Sequence, residues 1–172
     1  MRRNPMLDTI LRWSGLAALV ITASWNYFKF DLSGGTDWMV NVDIATEVLP
    51  YAQDQRLLVI HVKTKNPTTS RLTFDRQLSS FKLRIHEVPN NVQPVHVLNF
   101  DKQPTLVPDI DLMAADGSAR IYMPGAEFDD SETIVVRANT TLHLEATLTR
   151  KEGLRQEPDD VSAEHTVRVS DK

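Results

Sequence analysis

The sequence predicts an all-β protein: an antiparallel, immunoglobulin-like β-sandwich of about nine strands, preceded by one N-terminal transmembrane helix. Three observations predict it. Short runs of alternating apolar and polar residues recur from Trp38 to Val169. Pro, Asn, Asp and Gly punctuate those runs as turn residues do. Ahead of them, Trp13 to Phe28 (WSGLAALVITASWNYF) carries no charge at all.

The first segment divides as residues 1–12 on the cytoplasmic side, 13–30 as a signal anchor and 31–36 as a linker. Sixteen helical residues span about 24 Å, against a hydrocarbon core of about 30 Å. Adding Ile10 and Leu11 closes the gap, with Arg12 and Lys29 reaching out along their aliphatic stems. Leu16, Leu19, Val20 and Ile21 supply the apolar middle. Trp13 at one end and Trp25, Tyr27 and Phe28 at the other suit the headgroup zone. Arg2, Arg3 and Arg12 precede the run, which places the N-terminus in the cytoplasm and the rest across the membrane. In a bacterium that space is the periplasm. A cleaved signal peptide is the competing reading, with Thr22-Ala23-Ser24 as its cleavage site. Gly15, Ala18 and Thr22 share one helical face, a candidate surface for packing on another membrane helix. Asp31 to Thr36, with its paired glycines, allows the chain to change direction.

Residues 37–172 form the extracytoplasmic domain. Trp38 to Ala45, Leu58 to Lys63, Phe81 to His86 and Leu142 to Thr149 alternate with a period of two. Leu57 and Val59 make the second run apolar on both sides near its start, as in a strand central to its sheet. Shorter candidates are Leu72 to Phe74, Val95 to Phe100, Ala119 to Met123, Ile134 to Arg137 and His165 to Val169. Asn66-Pro67 and Pro89-Asn90-Asn91 end strands. Asp116-Gly117, between 110–115 and 118–123, reads as a two-residue hairpin. Glu127, Asp129 and Asp130 read as a polar loop, and Arg150 to Asp160 as a mobile one. A single-sheet barrel is the fallback architecture.

Leu57 to Phe74 (LLVIHVKTKNPTTSRLTF) joins an apolar strand, Asn-Pro and a second strand. In this it resembles the opening of the water-stress and late-embryogenesis type 2 sandwiches, domains that can also follow a membrane helix. The resemblance spans 18 of the 172 residues and one dipeptide, so only a sandwich fold is implied by it.

Chemistry is sparse. The absence of Cys excludes disulfides, thiolate metal sites and a Cys nucleophile. The net charge of −4 offers no basic surplus for nucleic acid. His61, His86, His96 and His143 fall on the polar phase of their runs and read as exposed. His165 completes the five, and no pair has helical zinc spacing, although two could meet across a sheet. Asp109, Asp111, Asp116 and Gly117 suggest a calcium loop, but Met113 and Ala114 stand where that pattern needs a ligand and a glycine. No GxSxG, SxxK, HExxH or phosphate-cradling glycine motif occurs. The expectation is a non-enzymatic, cofactor-free, single-pass accessory subunit of the cytoplasmic membrane, docking on other envelope proteins. The alternative is a ligand-binding or sensing module with an unspecified small-molecule ligand. A membrane-tethered hydrolase ranks third.

Overall fold

The computed structural model describes Ser24, residues 39–90, Val95, residues 97–151 and residues 159–170. The chain divides into two compact units, Met1–Trp38 and Met39–Lys172. Of the first, only Ser24 is described, and it is helical. Apart from Ser24, the expected anchor at 13–30 and the linker at 31–36 therefore lie outside the described residues. Among the described residues no helix is long and apolar enough to cross a membrane.

The second unit is all-β, with nine antiparallel strands among the described residues. In order they are β1 (Asn41–Ala52), β2 (Gln55–Lys65), β3 (Leu72–Asp75), β4 (Ser79–Glu87), β5 (Ile110–Asp111), β6 (Ala119–Tyr122), β7 (Glu127–Arg137), β8 (Thr141–Arg150) and β9 (Asp159–Arg168). They form a three-stranded sheet β1-β2-β7, a four-stranded sheet β5-β4-β8-β9 and a two-stranded ribbon β3-β6. Edge strands β1 and β9 are joined by a contact of 3.3 Å between Thr46 Oγ1 and His165 Nε2.

Alternation builds the core as the sequence requires. Leu58, Ile60 and Val62 of β2 are buried, as are Phe81, Leu83 and Ile85 of β4 and Leu142, Leu144 and Leu148 of β8. Each such side chain contributes about 1.5–3 kcal/mol by leaving water. β2 is the central strand of its sheet, flanked by β1 and β7 along its whole length.

Asn66 ends β2 and is fully buried. Its Nδ2 donates to the carbonyl oxygens of Ser70 (2.8 Å) and Met123 (3.2 Å). Its Oδ1 accepts from the backbone N–H and the hydroxyl of Thr68 at 2.9 and 2.7 Å. The Asn-Pro signal thus marks a junction tying the end of β2 to the end of β6. Its backbone carbonyl accepts from Gly125 N at 3.0 Å, and Gly125 adopts φ +73°, a conformation that suits glycine.

Three readings of local structure are corrected. Val95 to Phe100 is not a strand among its described residues, and Phe100–Lys102 forms a short 3-10 turn. Asp116-Gly117 makes no hairpin, because β5 pairs with β4 while β6 pairs with β3. Glu127 to Asp130 is not a loop but the first third of β7, paired with β2 from end to end. β9 also begins earlier than the sequence suggests, at Asp159.

Candidate functional site

The outward residues of the three-stranded sheet line up in rows across β1, β2 and β7. At one end lie Asn41, Lys65 and Glu127, then Asp43, Lys63 and Asp129, then Ala45, His61 and Ser131. Lys65 Nζ donates to Glu127 Oε1 at 2.5 Å, and His61 Nδ1 lies 3.1 Å from Asp129 Oδ1. The hydrogen bond from Lys65, aided by the lysine's charge, holds the Glu127 carboxyl below the usual range. Asp and Glu are poor strand formers, and opposed Lys partners on β2 offset that weakness here. A cavity of about 430 Å³ opens over this charged end, with Asp43, Lys63, Glu127 and Asp129 in its walls.

Along the same face the chemistry changes. Glu47, Val59 and Thr133 form the next row, and Leu49, Leu57 and Val135 the one after. Leu49 is 36% exposed and Val135 48%, and Tyr51 near the end of β1 is 61% exposed. The result is an apolar row, with Leu57 half-buried between Leu49 and Val135, left partly open on an otherwise polar sheet face.

The outer face of the four-stranded sheet is arranged differently. His86 of β4 and His143 of β8 face each other directly across the ladder. Both are buried, at 3% and 7% exposure, which corrects the expectation that they are exposed. Phe100 from the β4–β5 connection is the reason. Its ring stacks on His143 at 3.9 Å with a 12° tilt and sits 5.7 Å from His86. His143 Nδ1 lies 3.3 Å from Thr166 Oγ1, and its Nε2 lies 3.9 Å from Glu164 Oε2. His86 Nδ1 has no hydrogen-bond partner among the described residues. His61 is part-exposed as expected, and His96 lies outside the described residues. Two histidines do meet across a sheet, but no third ligand joins them: no group of three His, Asp or Glu able to hold a metal occurs among the described residues.

The acids of the suspected calcium loop are committed to separate cations. Asp109 lies near Lys82 and Arg84, Asp111 Oδ2 accepts from Arg76 at 3.0 Å, and Asp116 Oδ2 accepts from Arg120 at 2.6 Å. Arg120 is the buried hub. Its Nη1 and Nη2 donate to the two oxygens of Asp130 at 2.6 and 2.9 Å, and Nη2 also donates to the Leu112 carbonyl at 2.7 Å. Burial alone works against its charge, but the bonds to Asp130 and Asp116 outweigh burial and raise its pKa further. Sequence reasoning did not single out Arg120. An Arg at an inward position of an alternating run was the available signal.

Every residue proposed from sequence as membrane anchor, topology signal or helix-packing face lies outside the described residues. These are Arg2, Arg3, Arg12, Trp13, Gly15, Leu16, Ala18, Leu19, Val20, Ile21, Thr22, Trp25, Tyr27 and Phe28.

No protein family and no curated protein matches the chain. Similar solved structures include a protein assigned as ApaA from Bordetella pertussis, at 13% identity, TM-score 0.49, covering 77% of this chain and 94% of that one. A structural-genomics target is 10% identical with TM-score 0.45, covering 75% and 86%. A protein from Archaeoglobus fulgidus is 11% identical with TM-score 0.36, covering 74% and 97%. At these scores no role is carried over from any of them.

Proposed function

We propose that the chain is a single-pass accessory subunit of the cytoplasmic membrane. Its immunoglobulin-like sandwich stands outside the cytoplasm and docks on partner proteins of an envelope complex. The observation that carries this reading is the open apolar row Leu49–Leu57–Val135 on the outer face of the three-stranded sheet. Apolar side chains scattered singly over a surface carry no message, but neighbours in one cross-strand row form a contiguous patch of the kind that interaction sites use. The uncharged segment Trp13 to Phe28, with basic residues on its N-terminal side, supports the anchor. The role is binding rather than catalysis, in keeping with a sequence that lacks nucleophile, metal and phosphate motifs. A ligand-sensing module is the second reading, favoured by the cavity over Lys63 and Asp129.

Because the chain has no Cys, a single introduced cysteine reports topology without background. Tyr51→Cys in the full chain is expected to react with a membrane-impermeant maleimide added to intact cells or spheroplasts. The protein is also expected to stay with the membrane after alkaline carbonate washing. Labelling only after lysis, or release into the carbonate supernatant, refutes the anchored, outward-facing arrangement.

A further inference from the structure

The free edge of β7 borders a groove, and the groove suggests how a partner engages. β7 hydrogen-bonds to β2 along one edge, and among the described residues no strand pairs with its other edge. Every second N–H and C=O of such a strand points outward without a backbone partner. A cavity of about 510 Å³ runs beside the C-terminal part of this edge. One wall is the consecutive run Ile134, Val135, Val136 and Arg137. Side chains from both faces of β7 line it, so the strand presents its edge to the groove rather than one face. Leu106 and Val107 line it too, from the β4–β5 connection, whose Leu106 N donates to the Ile85 carbonyl at 2.6 Å.

Two charges of this edge make no ion pair among the described residues: Arg137, which lines the groove together with Glu87, and Glu132, five residues back along β7 and outside the lining. The edge thus has an apolar centre, a cation at its groove end on one face of the strand and an anion beyond the groove on the other face, and an added strand with alternating side chains has a definite complement to it.

We propose that the groove receives an extended strand of a partner protein, added antiparallel to β7. It carries an acid opposite Arg137, apolar side chains opposite Val136 and Ile134, and a base opposite Glu132. Antiparallel addition continues the pairing of the whole sheet, and main-chain hydrogen bonds supply the affinity while alternate side chains supply the choice of partner. The inference rests on the docking reading and names its surface.

The probe is the blocked peptide Glu-Val-Thr-Val-Thr-Lys, titrated into the full chain in detergent and followed by amide hydrogen exchange. Saturable binding with new protection confined to residues 132–137 is expected. Arg137→Glu should weaken this peptide about tenfold and restore binding to the peptide with Lys in place of Glu. N-methylation at the two Val amides or at the two Thr amides should abolish binding in one case and spare it in the other, because pairing hydrogens alternate along a strand. No binding, indifference to both methylations, or an oligomer dissociated by Arg137→Glu that the peptide does not displace each overturns the strand-addition proposal. Partners that are lost with Leu49→Asp but kept with Arg137→Glu leave docking in place and overturn the groove as its site.

Discussion

The two large sheets treat their outer faces in opposite ways. The three-stranded sheet leaves its outer face open, charged at one end and apolar at the other. The four-stranded sheet has one end of its outer face roofed by its own chain, where Phe100 covers His86 and His143, while the Lys82 and Arg84 side chains further along stay open to solvent. Both faces are built from strands with the same period of two. Alternation sorts side chains into two sets, and at His86 and His143 the distant β4–β5 connection decides whether the outward set meets water. That contrast is why the docking proposed above is assigned to the open side.

The largest expected effect tests the sorting itself. Ile60 is fully buried in β2, and Ile60→Asp places an unpaired carboxylate in the core at a cost of several kcal/mol, about the whole stability of a marginal domain. The domain should unfold, as seen by loss of the cooperative thermal transition. His61→Asp, one residue along on the open face, should leave a folded protein with a slightly lower midpoint. Equal damage from both would mean that the open face is covered as well.

A smaller effect sharpens the contrast from the other side. Phe100→Ala removes the roof over the two histidines, for about 1–2 kcal/mol, less than a full core truncation because Phe100 is only half-buried. Amide protection should fall at His86 and His143 and stay unchanged on β1 and β7. Unchanged protection at both histidines would show that Phe100 does not cover them.

Legibility followed the same division. The cores of β2, β4 and β8 were readable because Leu58, Phe81 and Leu144 and their period-two neighbours need no information beyond their own strand. The acidic start of β7 was not readable. Glu127 and Asp129 disfavour strands in isolation, and the residues that make them tolerable, Lys65 and Lys63, lie more than 60 positions away in sequence. Asp116-Gly117 misled for a similar reason: the carboxylate serves Arg120 rather than a tight turn. The open row Leu49–Leu57–Val135 drew residues from three strands, and without the register no signal joined them.

The smallest effect concerns the charged end. The Glu127 carboxyl is held low by Lys65, so the stability it contributes is present above the ordinary glutamate value of about 4.3 and is lost as pH falls through the lowered one. Lys65→Met should lower the thermal midpoint slightly at neutral pH and low salt. The difference should close in acid and in high salt, since the pair is exposed. A difference that persists in acid would assign the effect to packing by the lysine stem.

The open face as docking surface is tested most directly by comparing partners across matched surface variants of the full chain. Leu49→Asp with Val135→Asp disrupts the apolar row, and Lys82→Glu changes charge on the four-stranded sheet instead. Co-purification from detergent, with each variant shown to be folded by its thermal transition, should lose its partners in the first case and keep them in the second. Recovery of the same partners at the same yield from the Leu49 and Val135 variant would contradict the account.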